Sequence, residues 1–295
     1  MWNHRGDSIY HSLQAMFSTK FTRNSMFQAS YTYSRNIADT TLHYVDTTTG
    51  VADSYNSRAS RGLADFDRRH VFSANMIYNL PTLDGKNTFL RGVLGNWEAG
   101  SIINLLTGPA QTITGTVDPI GNPWGVGNGA ATSGRPLRVK SQPCHIDRHG
   151  GTSFINPAAF TWESFKLGGY DNGGIGQCAG PAFDSVDFAL DKNWKLPFHA
   201  GKYFGEQARI QFRFEAFNLF NHPMFRNPNT TFHLKDPVGA NCPGGAGNSP
   251  GCISFAGGQI HGGVLDTSTG NIFGQSATSS AIGNRELQYS IKLIF

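Results

Sequence analysis

The chain has 295 residues, 39% hydrophobic and 12% aromatic, yet only 15% are charged, against the roughly 25% usual in soluble domains. Its formal charge of +4 comes from scattered Lys and Arg, so no nucleic-acid footprint is expected, and no run of about 18 apolar residues exists that could form a helical membrane span. The opening Met1-Trp2-Asn3-His4-Arg5 leads into polar residues rather than an apolar export signal, so a barrel with this start is expected to be a fragment or a mature piece.

Seven stretches alternate apolar and polar residues with period two, the pattern of a strand with two different faces. Near Leu13 to Phe21, Leu13, Ala15 and Phe17 oppose Gln14, Ser18 and Lys20. After a hairpin turn at 22–25, Phe27, Ala29, Tyr31 and Tyr33 oppose Gln28, Ser30 and Thr32. From His70 to Leu80, Phe72, Ala74, Met76 and Tyr78 oppose Ser73 and Asn75, and from Asn96 to Leu105, Trp97, Ala99 and Ile103 oppose Glu98 and Asn104. Between Ser185 and Trp194, Val186, Phe188 and Leu190 oppose Asp187 and Asp191, and between Ala208 and Asn218, Ile210, Phe212 and Phe214 oppose Gln211, Arg213 and Glu215. The seventh, Arg285 to Phe295, sets Leu287, Tyr289, Ile291, Leu293 and Phe295 against Glu286, Gln288, Ser290 and Lys292. A transmembrane β-strand needs about 9–11 residues, with apolar side chains meeting lipid and polar ones the lumen.

The connections alternate in length. Asn36 to Arg69, Thr107 to Asp184 and Asn221 to Asn284 are long, whereas the links at 22–25, 81–95 and 196–207 are shorter. A soluble sandwich has no reason to sort loops by end, but an outer-membrane barrel does, with short periplasmic turns and long extracellular loops. The fold class expected is therefore all-β: an antiparallel transmembrane barrel segment of about seven strands with long extracellular loops, located in the outer membrane. The long loops collect Gly and Pro, as in Gly121-Asn122-Pro123-Trp124-Gly125, and carry Trp124, Trp162 and Tyr170 as candidate ligand-facing aromatics for a small molecule, peptide or glycan. Cys144 and Cys178 share one loop and Cys242 and Cys252 another. An even count on an oxidising route favours two within-loop disulfides, although four cysteines permit three connectivities.

Catalytic and metal motifs are weak. Gly247-Asn248-Ser249-Pro250-Gly251 fits the G-x-S-x-G spacing, but Pro250 and its flanks deny it the strand and helix a nucleophile elbow needs. His145 and His149 beside Cys144 could hold a metal only on a helix, which Pro143 and Gly150 oppose. Asp65 and Asp67 fall short of a calcium shell of 6–8 oxygens and read more simply as partners of Arg68 or Arg69. No enzyme activity, cofactor or metal is expected.

The segments Ala64-Asp65-Phe66-Asp67-Arg68-Arg69-His70, Phe154-Ile155-Asn156-Pro157-Ala158-Ala159-Phe160, Glu215-Ala216-Phe217-Asn218-Leu219-Phe220-Asn221-His222-Pro223 and the closing Arg285 to Phe295 resemble the carboxy-terminal barrel of Oar-like TonB-dependent transporters of Acidobacteria and related Gram-negative bacteria. The resemblance covers nearly the whole chain. It implies that residues 1–295 are the C-terminal part of a receptor barrel of about 22 strands, with the TonB box, plug and N-terminal strands absent. It further implies energised uptake through the TonB complex acting on the missing plug, and a terminal strand bearing Tyr289, Ile291, Leu293 and Phe295 that the barrel assembly machinery reads. The alternatives are a small autonomous porin or adhesin and, outside the membrane, a secreted β-rich binding module.

One register can be predicted. Antiparallel pairing across the 196–207 turn, matched by charge, sets Asp191 beside Arg209 and Asp187 beside Arg213, all on the lumenal face.

Overall fold

The computed structural model describes residues 7–22, 24–39, 57–115, 135–146, 153–166, 174–199, 207–232, 234–235, 254–256, 259–261, 264–265, 273–275 and 283–294. Seven long strands form its main sheet: β1 (Ser8–Thr22), β2 (Ser25–Ala38), β3 (His70–Asn79), β4 (Trp97–Leu106), β5 (Phe183–His199), β6 (Gln207–Phe217) and β7 (Glu286–Ile294). Each pairs antiparallel with the next, so spatial order equals chain order, and a short strand at Gly62–Leu63 adds to the end of β2. All seven alternating stretches are thus strands of one meander. Long connections leave one end of the sheet and short ones the other, as the sequence pattern requires.

The register keeps the two faces separate across the whole sheet, because residues directly opposite one another point the same way. On one face Tyr31 stands beside Phe72 and Phe72 beside Leu105; Leu190 stands beside Phe214 and Phe214 beside Tyr289, whose rings are 5.1 Å apart. On the other, Gln28 meets Asn75, Ser73 meets Asn104, Glu98 meets Asp191, and Gln211 meets Lys292. Among the described residues the wall has no apolar core of its own: its large side chains stand outward, and Ile291 is 76% exposed.

The predicted β5–β6 register is corrected. Asp191 lies opposite Arg213, not Arg209, whereas Arg209 lies opposite Lys195 and Asp187 opposite Ile102 of β4. The charge-matched pairing falls four residues short of the observed ladder, in which β5 runs on to His199 and the register shifts between Lys195 and His199. The slip is by an even number of residues, which changes every partner and leaves every face unchanged.

The long connections build a second layer at their end of the sheet. Ile113, Ile155, Ala159, Phe160, Trp162, Cys178, Phe232 and Phe273 form one buried cluster, drawn from the connections after β4 and after β6. Phe273 meets Phe160 and Phe232 edge-on at 5.8 and 5.0 Å, a favoured aromatic geometry. Short ladders tie the cap together: Ala110–Gln111 with Cys178–Ala179, Leu137–Arg138 with Phe160–Thr161, and Thr114–Gly115 in parallel with Thr231–Phe232. Gly115 has to lack a side chain, because a Cβ there would collide with the Trp162 indole. A disulfide joins Cys144 to Cys178 across a Cα–Cα distance of 5.9 Å.

Two of the sequence motifs stitch cap to wall. Asp67 accepts the Asn36 backbone N–H, Arg68 donates to the Thr107 carbonyl at 2.9 Å, and Thr112 donates to Asp65 at 3.0 Å. These acidic groups therefore serve the backbone and a hydroxyl where strands β2, β3 and β4 leave the sheet. After β6, Asn218 and Asn221 take positive φ of 49° and 52°, a conformation Asn tolerates better than most residues. The buried Asn218 amide donates to the His222 and Gly283 carbonyls and accepts the His222 N–H, while its own N–H donates to Asp187 at 2.9 Å. Asn221 accepts the Arg285 N–H at 3.0 Å, so the motif turns the chain out of β6 and holds the start of β7.

The connection from Pro81 to Gly95 is not a plain turn. It contains helix α1 (Thr88–Leu94), capped by the Asn87 side chain, which accepts the Phe89 N–H at 3.0 Å.

Candidate functional site

The polar face of the wall and the space beneath the cap are where chemistry is concentrated. Strands β2 to β5 contribute Gln28, Ser30, Ser73, Asn75, Asn104 and Ser185 at alternate positions. Ser73 donates to Asn104 at 2.9 Å across the β3–β4 pair, and Ser185 donates to Asp187 at 3.2 Å. Neutral hydroxyl and amide groups in this number can exchange hydrogen bonds with a polar solute without binding it tightly.

Charge is concentrated on β5 and β6. Arg213 lies 3.4 Å from Asp191 and 3.2 Å from Glu215, with Glu98 opposite Asp191 on the far side. A recess of about 420 Å³ opens against this group, lined also by Asn75, Ile102 and Phe217. A second recess of about 490 Å³ lies at the long-loop end, lined by Asn104, Ser185, Asp187, Asn218, Arg285 and Glu286. The Asn218 turn therefore helps shape the mouth as well as closing the strand. Both recesses offer donors, acceptors and charges of both signs.

The predicted site residues divide sharply. Trp162 is not ligand-facing: it is 2% exposed and sits at the centre of the cap core, where its indole packs over Gly115. A tryptophan in a Gly/Pro-rich loop looks available for binding only if the loops have no core of their own, and these do. Trp124, Tyr170, Cys242, Cys252, Ser249, His149 and Phe295 lie outside the described residues. Tyr289, Ile291 and Leu293 share the apolar face of β7 and are exposed. Cys144 is spent on the disulfide, and the His145 ring lies 2.7 Å from the Ala179 carbonyl and 4.7 Å from the Phe154 ring. No cluster of metal-binding side chains occurs among the described residues. Near this core, Arg138 donates to the Ala159 and Gln142 carbonyls and lies over the Phe160 ring, and burial lowers its pKa from the usual guanidinium value.

One functional residue escaped the alternation argument. Lys192 falls on the apolar face, opposite Trp97 and Phe212, and is only 1% exposed. Its ammonium donates to the Gly95 carbonyl and lies 5.5 and 5.6 Å from the Trp97 and Trp194 rings. The signal was present in Leu190-Asp191-Lys192-Asn193-Trp194, where a lysine occupies a position that parity reserves for apolar residues.

A family model described as an outer membrane beta barrel domain matches residues 1–288. No curated protein and no solved structure matches the chain. With that match the two faces acquire their media: the aromatic face is turned to lipid and the polar face to the lumen, with short turns on the periplasmic side.

Proposed function

The chain belongs to the outer membrane beta barrel domain family, and from that premise we propose that it supplies wall and outer loops to a TonB-dependent receptor for energised uptake of a large or scarce solute. It is an antiparallel transmembrane β-barrel protein of the outer membrane. The observation that carries the finer reading is the cap. Loops that share a hydrophobic core and a disulfide form a shaped surface over the barrel mouth, which suits selective capture better than free diffusion.

The sheet also favours a larger barrel. Strands β1 and β7 both run from the long-loop end to the short-turn end and are not paired with each other among the described residues. Closing seven strands on themselves would require a parallel pair, whereas single-chain bacterial barrels are antiparallel with an even strand number. Further strands, and a plug within about 22 of them, complete the proposal. In this reading residues 1–295 are the C-terminal part of the receptor barrel, with no reaction assigned to it. The TonB complex acts through the plug, and the barrel assembly machinery reads the exposed β7 edge.

Full-length protein reconstituted in liposomes tests this. A plugged receptor admits no small sugar in a swelling assay and is retained on immobilised TonB. Swelling at porin rates with no TonB retention would replace the proposal by an autonomous porin.

A further inference from the structure

Helix α1 presents an apolar surface with no protein against it among the described residues. Phe89, Leu90, Val93 and Leu94 follow one another at spacings that place them on one side of the helix, and all four are exposed, Phe89 at 73%. Arg91 and Lys86, also exposed, supply positive charge beside them.

The wall determines where that surface sits. The last carbonyls of a helix have no partner within it. Here Trp194 donates to the Gly92 carbonyl and Trp97 to the Val93 carbonyl, each at 2.8 Å, and Lys192 donates to the Gly95 carbonyl just beyond. All three donors stand on the apolar face of β4 and β5, Trp97 and Lys192 in register with Phe212 and Trp194 with Ile210. The two indoles meet at 6.5 Å and that of Trp97 meets Phe212 at 6.2 Å, as an aromatic band at the short-turn rim. The helix is therefore fastened to the outside of the barrel, not to its mouth. Lys192, a charge on the lipid side, is accounted for by the same contact: it is roofed by the indoles and opposes the negative end of the helix.

We propose that α1 is an interfacial helix that inserts its Phe89–Leu94 face into the periplasmic leaflet of the outer membrane, with Arg91 and Lys86 at the phospholipid phosphates. The apolar surface of the helix continues the lipid-facing surface of the wall at the rim where headgroups begin. Basic residues flanking an apolar stripe are the composition of helices that lie in that plane. This inference rests on the lipid-facing assignment of the wall and not on TonB dependence.

Nitroxide labels on the full-length protein in phosphatidylethanolamine and phosphatidylglycerol vesicles test it, through accessibility to oxygen against a water-soluble nickel reagent. Labels go at Phe89→Cys, Val93→Cys, Lys86→Cys and Ile291→Cys, with signal from native cysteines subtracted using the unsubstituted protein. All four positions are exposed, so the substitutions leave the packing intact. The oxygen-to-nickel ratio at positions 89 and 93 should be several-fold above that at 86 and approach that at 291. A ratio at 89 and 93 equal to that at 86, with 291 still lipid-like, overturns the inference alone. Exclusion of both reagents at 89 overturns it in favour of a protein partner or second copy. A water-like ratio at 291 overturns the wall assignment together with it.

Discussion

The wall and the cap use the same kinds of side chain and turn them in opposite directions. In the wall, Phe214, Tyr289 and Ile291 stand away from the polar interior, whereas in the cap Trp162, Phe160 and Phe273 stand inward against one another. The difference is the surrounding medium. Lipid makes an outward apolar face acceptable, so the wall needs hydrogen-bonded strand pairing more than a core; the cap faces water and has to bury its apolar groups as a soluble domain does. The disulfide Cys144–Cys178 belongs to the cap for the same reason, since a small water-exposed core profits most from a cross-link.

The largest test of this division is Trp162→Ala. Removing a buried tryptophan should cost the cap about 3–5 kcal/mol. Hydrogen exchange in residues 153–166 should accelerate strongly, while the heat-resistant electrophoretic form of the barrel persists. Loss of that form would mean that wall and cap stand or fall together.

A somewhat smaller effect is expected from Phe214→Arg, which places a charge in lipid and should destabilise the wall by about 2–4 kcal/mol, with Gln211→Arg on the lumenal face close to neutral. Urea titration of folding into liposomes measures both. Equal losses would show that the two faces do not meet different media.

Where cap joins wall, Asn218→Ala should cost about 1–3 kcal/mol, because the buried Gly283 carbonyl and the part-buried His222 carbonyl lose their donor. Asn218→Gly retains the positive φ but not the amide, so it should recover part of the loss in the same titration. Full recovery would reduce the motif to backbone conformation alone.

The smallest effect sharpens the register. A double-mutant cycle on Asp191→Ala and Arg213→Ala should yield a coupling of about 0.2–1 kcal/mol, and the same cycle on Asp191 and Arg209 should yield none. Coupling to Arg209 instead would restore the charge-matched register, Asp191 with Arg209 and Asp187 with Arg213.

The strands and their faces were legible in the residues because period two is local: Phe212, Arg213 and Phe214 declare two sides without reference to any other strand. The sorting of long and short connections was equally plain, and with it the barrel. Helix α1 was not, although Asn87 as a cap and the Phe89, Leu90, Val93, Leu94 spacing were available, because a seven-residue helix has little propensity to show without the donors that fasten its end. Trp162 was misread because a loop aromatic reveals its burial only through the distant residues it packs with, Gly115 among them.

What the sequence by itself determined is therefore the set of strands, the face each side chain takes, and the end from which each loop leaves. Pairing partners were decided by tertiary structure: an even slip, such as the one that brings Asp191 to Arg213, leaves the alternation untouched and is invisible to it. Tertiary structure alone also decided which loops share a core, where the Asn218 amide is spent, and why Lys192 can stand on the lipid side. Each of these depends on groups far apart in the chain, whose meeting no local pattern encodes.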